Sequence, residues 1–172
     1  MENIDSFQEI IQWIQSPDAG KKIIRWIKQD RTDWVPWKER EKLPGFDGQG
    51  LYFIAEPQPD KTDDLSSRIV CIGETSRTFR ERLNEFNQAA FKGKEVHGPG
   101  IRHHKRCGCD GSAVYVSILP LKLEQSWRYI LPPFLEGVVH SKYKKINGDL
   151  PLDNQHSKNK NAFGEPSPPR PK

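Results

Sequence analysis

Three cysteines, an odd number without framework spacing, give this 172-residue chain no basis for a disulfide-stapled fold. Long apolar runs are missing too. None approaches the ~18 to 20 residues of a membrane span, and no basic-then-apolar signal segment follows Met1. These absences predict a soluble, cytoplasmic protein with reduced thiols and no membrane partner. No internal repeat recurs, which argues against a solenoid. A chain of this length is expected to form one compact domain that buries roughly 70% of its unfolded surface.

The net charge of +4 is unevenly placed. The first 64 residues are acidic on balance. The excess lies between Lys92 and Arg106, where five basic residues face one acidic residue, and in the tail beyond Asn154. A basic stretch so confined points to a local contact with an anionic partner.

Apolar spacing at Phe7, Ile10, Ile11 and Ile14 predicts a first helix, and Ile23, Ile24, Trp26 and Ile27 predict a second after Ser16-Pro17-Asp18. Trp34 and Trp37 flank Pro36, and Leu43-Pro44-Gly45 closes this region. The period then changes. Residues 50–55 and 68–73 are short, apolar and aromatic, and read as two strands joined by a long polar loop. Thr78 with Glu81 three residues on is a capping box that opens a helix through about Phe91. A third strand is expected at 113–118, closed by Pro120, then a helix around 124–130. Another helix runs from Pro132-Pro133 to about Ile146, ended by Asn147-Gly148. The polar, proline-containing end reads as a disordered basic tail. The expected architecture is α/β (α+β): a helical extension over 1–47, a domain over 48–156 with a small three-stranded, mainly antiparallel sheet flanked by helices, and the tail over 157–172.

Two charged residues stand at the margins of apolar helix faces. Phe79, Leu83 and Phe86 form one stripe, and Arg82 lies about 60° from its centre at ~100° per residue. Such an arginine either snorkels to a surface carboxylate or serves an anionic ligand. Glu136 lies at the edge of the side formed by Phe134, Leu135, Val138, Val139 and Ile146. It is either a solvated rim carboxylate or a hard oxygen ligand of the kind magnesium prefers.

Five ordered elements connect these residues: Gly50-Leu51-Tyr52; Cys71-Ile72-Gly73; the run from Glu74 to Leu83; Phe134-Leu135-Glu136; and Leu150-Pro151-Leu152-Asp153-Asn154. In order, and with the strand, strand, helix pattern between them, they resemble the motifs of the GIY-YIG nuclease superfamily over residues 48–156. The resemblance implies a metal-dependent endonuclease acting on DNA, DNA being a better candidate than RNA, with restriction or defence as the role by analogy. It implies Tyr52 as the first motif tyrosine, Arg82 as the catalytic arginine and Glu136 as the carboxylate for Mg²⁺ or another divalent cation such as Mn²⁺. Asn154 would be a structural or site-shaping asparagine. Cys71 stands where the family has its second tyrosine and cannot supply a phenol. A nucleic-acid-binding module that grips without cutting is the competing expectation.

The basic stretch offers Lys92, Lys94, His97, Arg102, His103, His104 and Lys105, with Arg77 ahead of the helix, as candidate nucleic-acid contacts on a glycine-containing loop. His103, His104, Cys107 and Cys109 are crowded into seven residues, unlike the spacing of common zinc sites, and read as ordinary loop residues. Cys71 reads as a small buried hydrophobe. A palindromic target would favour a homodimer by symmetry.

Overall fold

The computed structural model describes residues 18–59, 65–108 and 111–155. The helix expected around Phe7 to Ile14, the tail and Cys109 lie outside the described residues. The elements run α1 (Ala19–Asp30), β1 (Val35–Pro36), a 3-10 turn (Trp37–Lys42), β2 (Gln49–Ala55), β3 (Ile69–Thr75), α2 (Phe79–Lys92), α3 (Gly98–Cys107), β4 (Tyr115–Leu121) and α4 (Leu131–Asn147).

The sheet has four strands rather than three, in the order β1-β4-β2-β3, and every pairing is antiparallel. The extra strand is only two residues long, below what alternation can signal. Residues read as an extension thus enter the sheet itself. The third expected strand also runs further, through Pro120. Ile118 N donates to Thr32 Oγ1 on the side away from β2. Pro120, two residues on, turns its hydrogen-free nitrogen to that same side, beyond the two-residue reach of β1, so it costs no ladder bond.

Alternation along β2 builds two cores. Leu51, Phe53 and Ala55 pack with Ile23, Ile27, Leu135, Val139 and Tyr143, under α1 and α4. Tyr52 and Ile54 pack with Trp37, Phe79, Leu83 and Phe86 on the other face, under α2. Both faces are covered, which accounts for the burial of β2 along its whole length and of β3 at every residue but Glu74.

The capping box of α2 forms as the sequence predicts: Glu81 N donates to Thr78 Oγ1 (3.2 Å) and Thr78 N to the Glu81 carboxylate (3.0 Å). Two other expectations are corrected. Residues 125–130 make turns instead of a helix. The glycine-containing basic stretch is helical from Gly98 because His97 caps it, Pro99 suits the first turn and Gly108 closes it at φ 58°. Gly100 is needed for close packing, since a Cβ there would lie 2.7 Å from the Ala89 Cβ of α2.

Candidate functional site

The site lies along the outer edge of β3. An edge strand exposes unpaired N–H and C=O groups, and here two segments occupy them. Asn154 covers Ile72 as a neighbouring strand would, accepting from its N–H and donating to its C=O, both at 2.7 Å. One residue earlier, Asp153 N donates to Val70 O at 2.7 Å. Helix α4 runs antiparallel to β3 and adds Tyr143 Oη to Ile69 O (3.1 Å) and His140 Nε2 to Ile72 O (3.3 Å). Glu136 lies one helical turn before His140 on that stripe, which brings it level with Glu74 at the far end of the strand.

Glu136 senses the charge of Glu74. Burial pushes the Glu136 carboxyl up to about 7, Glu74 adds to the rise, and Arg82 opposes it. Burial likewise holds Glu74 above the usual carboxylate range against the pull of Arg82. Glu74 Oε2 is buried with no hydrogen-bond partner among the described residues. Two half-buried carboxylates, one with an orphaned oxygen, form a donor set that suits a hard divalent cation. Either carboxylate is costly to ionise there without a cation.

Arg82 approaches from α2. Its Nη1 donates to Glu85 Oε2 at 3.1 Å, while its buried Nε has no hydrogen-bond partner among the described residues. Burial works against the guanidinium charge, but the Tyr52 phenol and Glu85 more than offset it, so its pKa rises. Tyr52, directly opposite Gly73 on β3, is only 1% exposed. Its ring lies across that glycine: a Cβ at Gly73 would sit 2.2 Å from both Cζ and Oη. Burial, reinforced by Cys71 and opposed by Arg82, pushes the phenol well above its usual value.

His97 completes the group. Gly100 N donates to its Nδ1 (3.1 Å), so the proton of the neutral ring is on Nε2, 3.2 Å from Tyr52 Oη. Burial, with Arg82 and Arg102 adding to it, lowers its pKa to about 3, so the ring stays neutral across the physiological range. Nε2–H therefore donates to the phenol oxygen, and the phenol proton points elsewhere.

The structure brings Tyr52, Arg82 and Glu136 together, with Asn154 at the adjoining backbone. Both ends of the Asn154 amide are committed to Ile72, so its part is mechanical. The basic candidates divide. Lys92, Lys94 and Lys105 are exposed. Arg77 is exposed and paired with Glu85 at 2.8 Å. Arg102 donates to Asp153 O (2.7 Å), and His104 Nδ1 lies 2.9 Å from Ala90 O. His97 and His103 are corrected as nucleic-acid contacts, being 3% and 0% exposed. Helix formation turned them inward, His97 as a cap and His103 onto Phe86 and Phe91. Another basic surface lines a cavity of about 260 Å³ at the start of α2, with Arg77, Lys122 and Arg128 on its walls.

Sequence reasoning missed Glu74 as a second carboxylate, although it directly follows Gly73 on an edge strand. It also missed a group of metal-ligating type, Glu56, His103 and Cys107, whose ligand atoms all lie within 4.8 Å of one another. Local spacing hid that group because Glu56 comes from the far end of β2. Among the described residues no helix is long and apolar enough to cross a membrane. No family model, no curated protein and no solved structure matches the chain.

Proposed function

We propose that the protein is an endonuclease of the GIY-YIG type that hydrolyses phosphodiester bonds in DNA with Mg²⁺ or Mn²⁺, in a restriction or defence role. One observation carries the reading: the Glu74 and Glu136 carboxylates, the Arg82 guanidinium and the Tyr52 phenol meet at one strand edge. Glu74 and Glu136 would hold the cation, which supplies Lewis-acid stabilisation of charge on the phosphate and leaving oxygens. Arg82 presents its planar fork to a non-bridging phosphate oxygen and stabilises charge that grows in the transition state. His97 holds the Tyr52 oxygen, so the phenol directs its own proton toward the reacting water or phosphate. Cys71 takes no chemical part: it is fully buried, and burial raises its thiol well above the usual value. Lys92 at the end of α2, Lys94 just after it and Lys105 on α3, with Arg77, Lys122 and Arg128, offer charge to the nucleic-acid backbone.

The test is to incubate plasmid and linear DNA with the purified chain and Mg²⁺, beside Glu136→Ala, Glu74→Gln and Arg82→Ala variants. Metal-dependent nicking that falls at least ~100-fold in the Glu136 and Arg82 variants is the expected outcome, in the range that loss of one transition-state donor costs. The near-complete burial of Tyr52 favours a second reading, a module that binds nucleic acid without cutting. Salt-sensitive binding with no cleavage of DNA or RNA would select that module.

A further inference from the structure

A second set of ligand types meets toward the C-terminal end of α3. His103 and Cys107 are four residues apart and share one helix face. Glu56, one residue beyond β2, reaches the same point: Cys107 Sγ lies 3.3 Å from Glu56 Oε2, and the ligand atoms of all three residues lie within 4.8 Å of one another. Behind them is a buried carboxylate. Asp153 is 0% exposed, and its Oδ2 lies 2.8 Å from His103 Nδ1, which fixes the imidazole plane.

We propose that Glu56, His103 and Cys107 form a binding site for a zinc-class divalent cation, separate from the Tyr52 site. The donor set from the described residues is one nitrogen, one sulfur and one oxygen. That mixture suits borderline Zn²⁺ or Co²⁺, whereas Mg²⁺ takes oxygen ligands and dehydrates reluctantly. On binding, the Cys107 S–H bond breaks, the thiolate bonds to the cation and the proton leaves to solvent. No electrons are transferred.

Arg106 sets the affinity. Its Nη1 donates to Glu56 Oε2 (3.1 Å) and its Nε to Asp153 Oδ1 (3.2 Å), with Nη2 3.3 Å from Asp153 Oδ2 and 3.1 Å from His103 Nδ1. The guanidinium already supplies positive charge to this acidic cluster, so it competes with a cation for Glu56. Its side chain is 32% exposed and can leave toward solvent while its neighbours stay in place. The site therefore takes zinc as an exchange of one cation for another.

The experiment uses the full chain, stripped with chelator and titrated with Zn²⁺ by calorimetry and with Co²⁺ by absorbance. The expected result is one ion per chain with a thiolate-to-cobalt charge-transfer band. Cys107→Ser should abolish the band. Glu56→Gln should weaken Zn²⁺ binding by more than the ~10-fold that loss of an outer partner costs. Arg106→Gln should tighten binding, a gain that damage to folding would not produce. No binding at micromolar Zn²⁺, or binding indifferent to both Cys107→Ser and Glu56→Gln, overturns the proposal. The readout is metal binding, so its failure is distinct from failure of the nuclease reading.

Discussion

Tyr52 accepts a hydrogen bond from His97 Nε2 at 3.2 Å, and the direction of that bond is set by a backbone amide three residues further along the chain, Gly100 N on His97 Nδ1. The cap of α3 thereby orients a phenol on β2. His97 supplies the Tyr52 phenol with a buried donor. Removing it with His97→Leu takes one polar partner from the phenol and leaves Arg82, at ~1 kcal/mol for a net hydrogen bond. On the proposed nuclease reading, nicking should fall roughly 5-fold, since ~1.4 kcal/mol is worth a factor of ten. His97→Gln, which keeps a donor, should recover part of it. Equal nicking by the wild-type and Leu variants would refute this role. Long-range proton–nitrogen NMR should report the Nε2-protonated tautomer.

His97 also gives the fold an acid liability. Its pKa falls from 6.5 in the unfolded chain to about 3 in the folded one, chiefly by burial. The unfolded state thus binds more protons between those values, and stability declines as pH drops through that window. The His97→Gln variant should lose less stability than the wild type between pH 6.5 and pH 4 in urea titrations. Parallel curves would count against the buried neutral ring.

The carboxylate pair predicts the opposite slope. Glu136 titrates at about 7 in the fold against 4.5 for a free glutamate, so the folded state holds the extra proton. Its stabilising contribution is complete below pH 4.5 and is lost as pH rises through 7. Ionising Glu136 beside Glu74 is unfavourable until a cation binds. In chelator, Glu136→Gln should therefore be more stable than the wild type at pH 8, and Mg²⁺ or Mn²⁺ should raise the wild-type Tm more at pH 8 than at pH 6. A metal-induced shift independent of pH, or one retained in Glu136→Gln, would place the ion elsewhere.

Gly73 is a steric requirement of the site. A methyl group there would overlap the Tyr52 ring at 2.2 Å, in a layer where Ile54, Cys71 and Phe86 leave no room to retreat. Gly73→Ala should cost about 1 to 3 kcal/mol, the usual penalty of overpacking. Calorimetry should show a lower Tm. On the proposed nuclease reading, the displaced phenol should lower nicking further than stability alone explains, and unchanged nicking in the folded variant would contradict a role for Tyr52.

How much of this was legible in the sequence depended on range. The two strands at Leu51 and Ile72, the Thr78–Glu81 capping box and Arg82 at the rim of its stripe all follow from period and local chemistry. Helix α3 was obscured because Gly98-Pro99-Gly100 has a loop's composition, whereas here Pro99 starts a helix and Gly100 lets it lie against Ala89. The strand at Val35–Pro36 is too short to alternate. Glu74, His97 and Asp153 acquire meaning only through partners on other elements, namely Glu136, Tyr52 and His103. No periodicity carries information at that distance.

Asn154 closes the edge of β3 with two bonds to one residue, and the two substitutions that test this should differ in a fixed order. Asn154→Ala removes both of its bonds to Ile72, leaving the N–H to water and the C=O to His140 Nε2, at ~1 kcal/mol per net hydrogen bond. Asn154→Asp keeps an acceptor for Ile72 N but sets a carboxylate oxygen where Nδ2 donated to Ile72 O, with Asp153 alongside. Oxygen then faces oxygen at the former donor distance, so the Asp variant should be less stable than the Ala variant near neutral pH. Acidification should narrow the gap, because a protonated carboxyl can donate to Ile72 O as the amide does. Urea unfolding of the three proteins at pH 7.5 and pH 5 measures the order directly. If Ala and Asp were equally tolerated at both pH values, the asparagine would not be what holds the strand that carries Gly73 and Glu74.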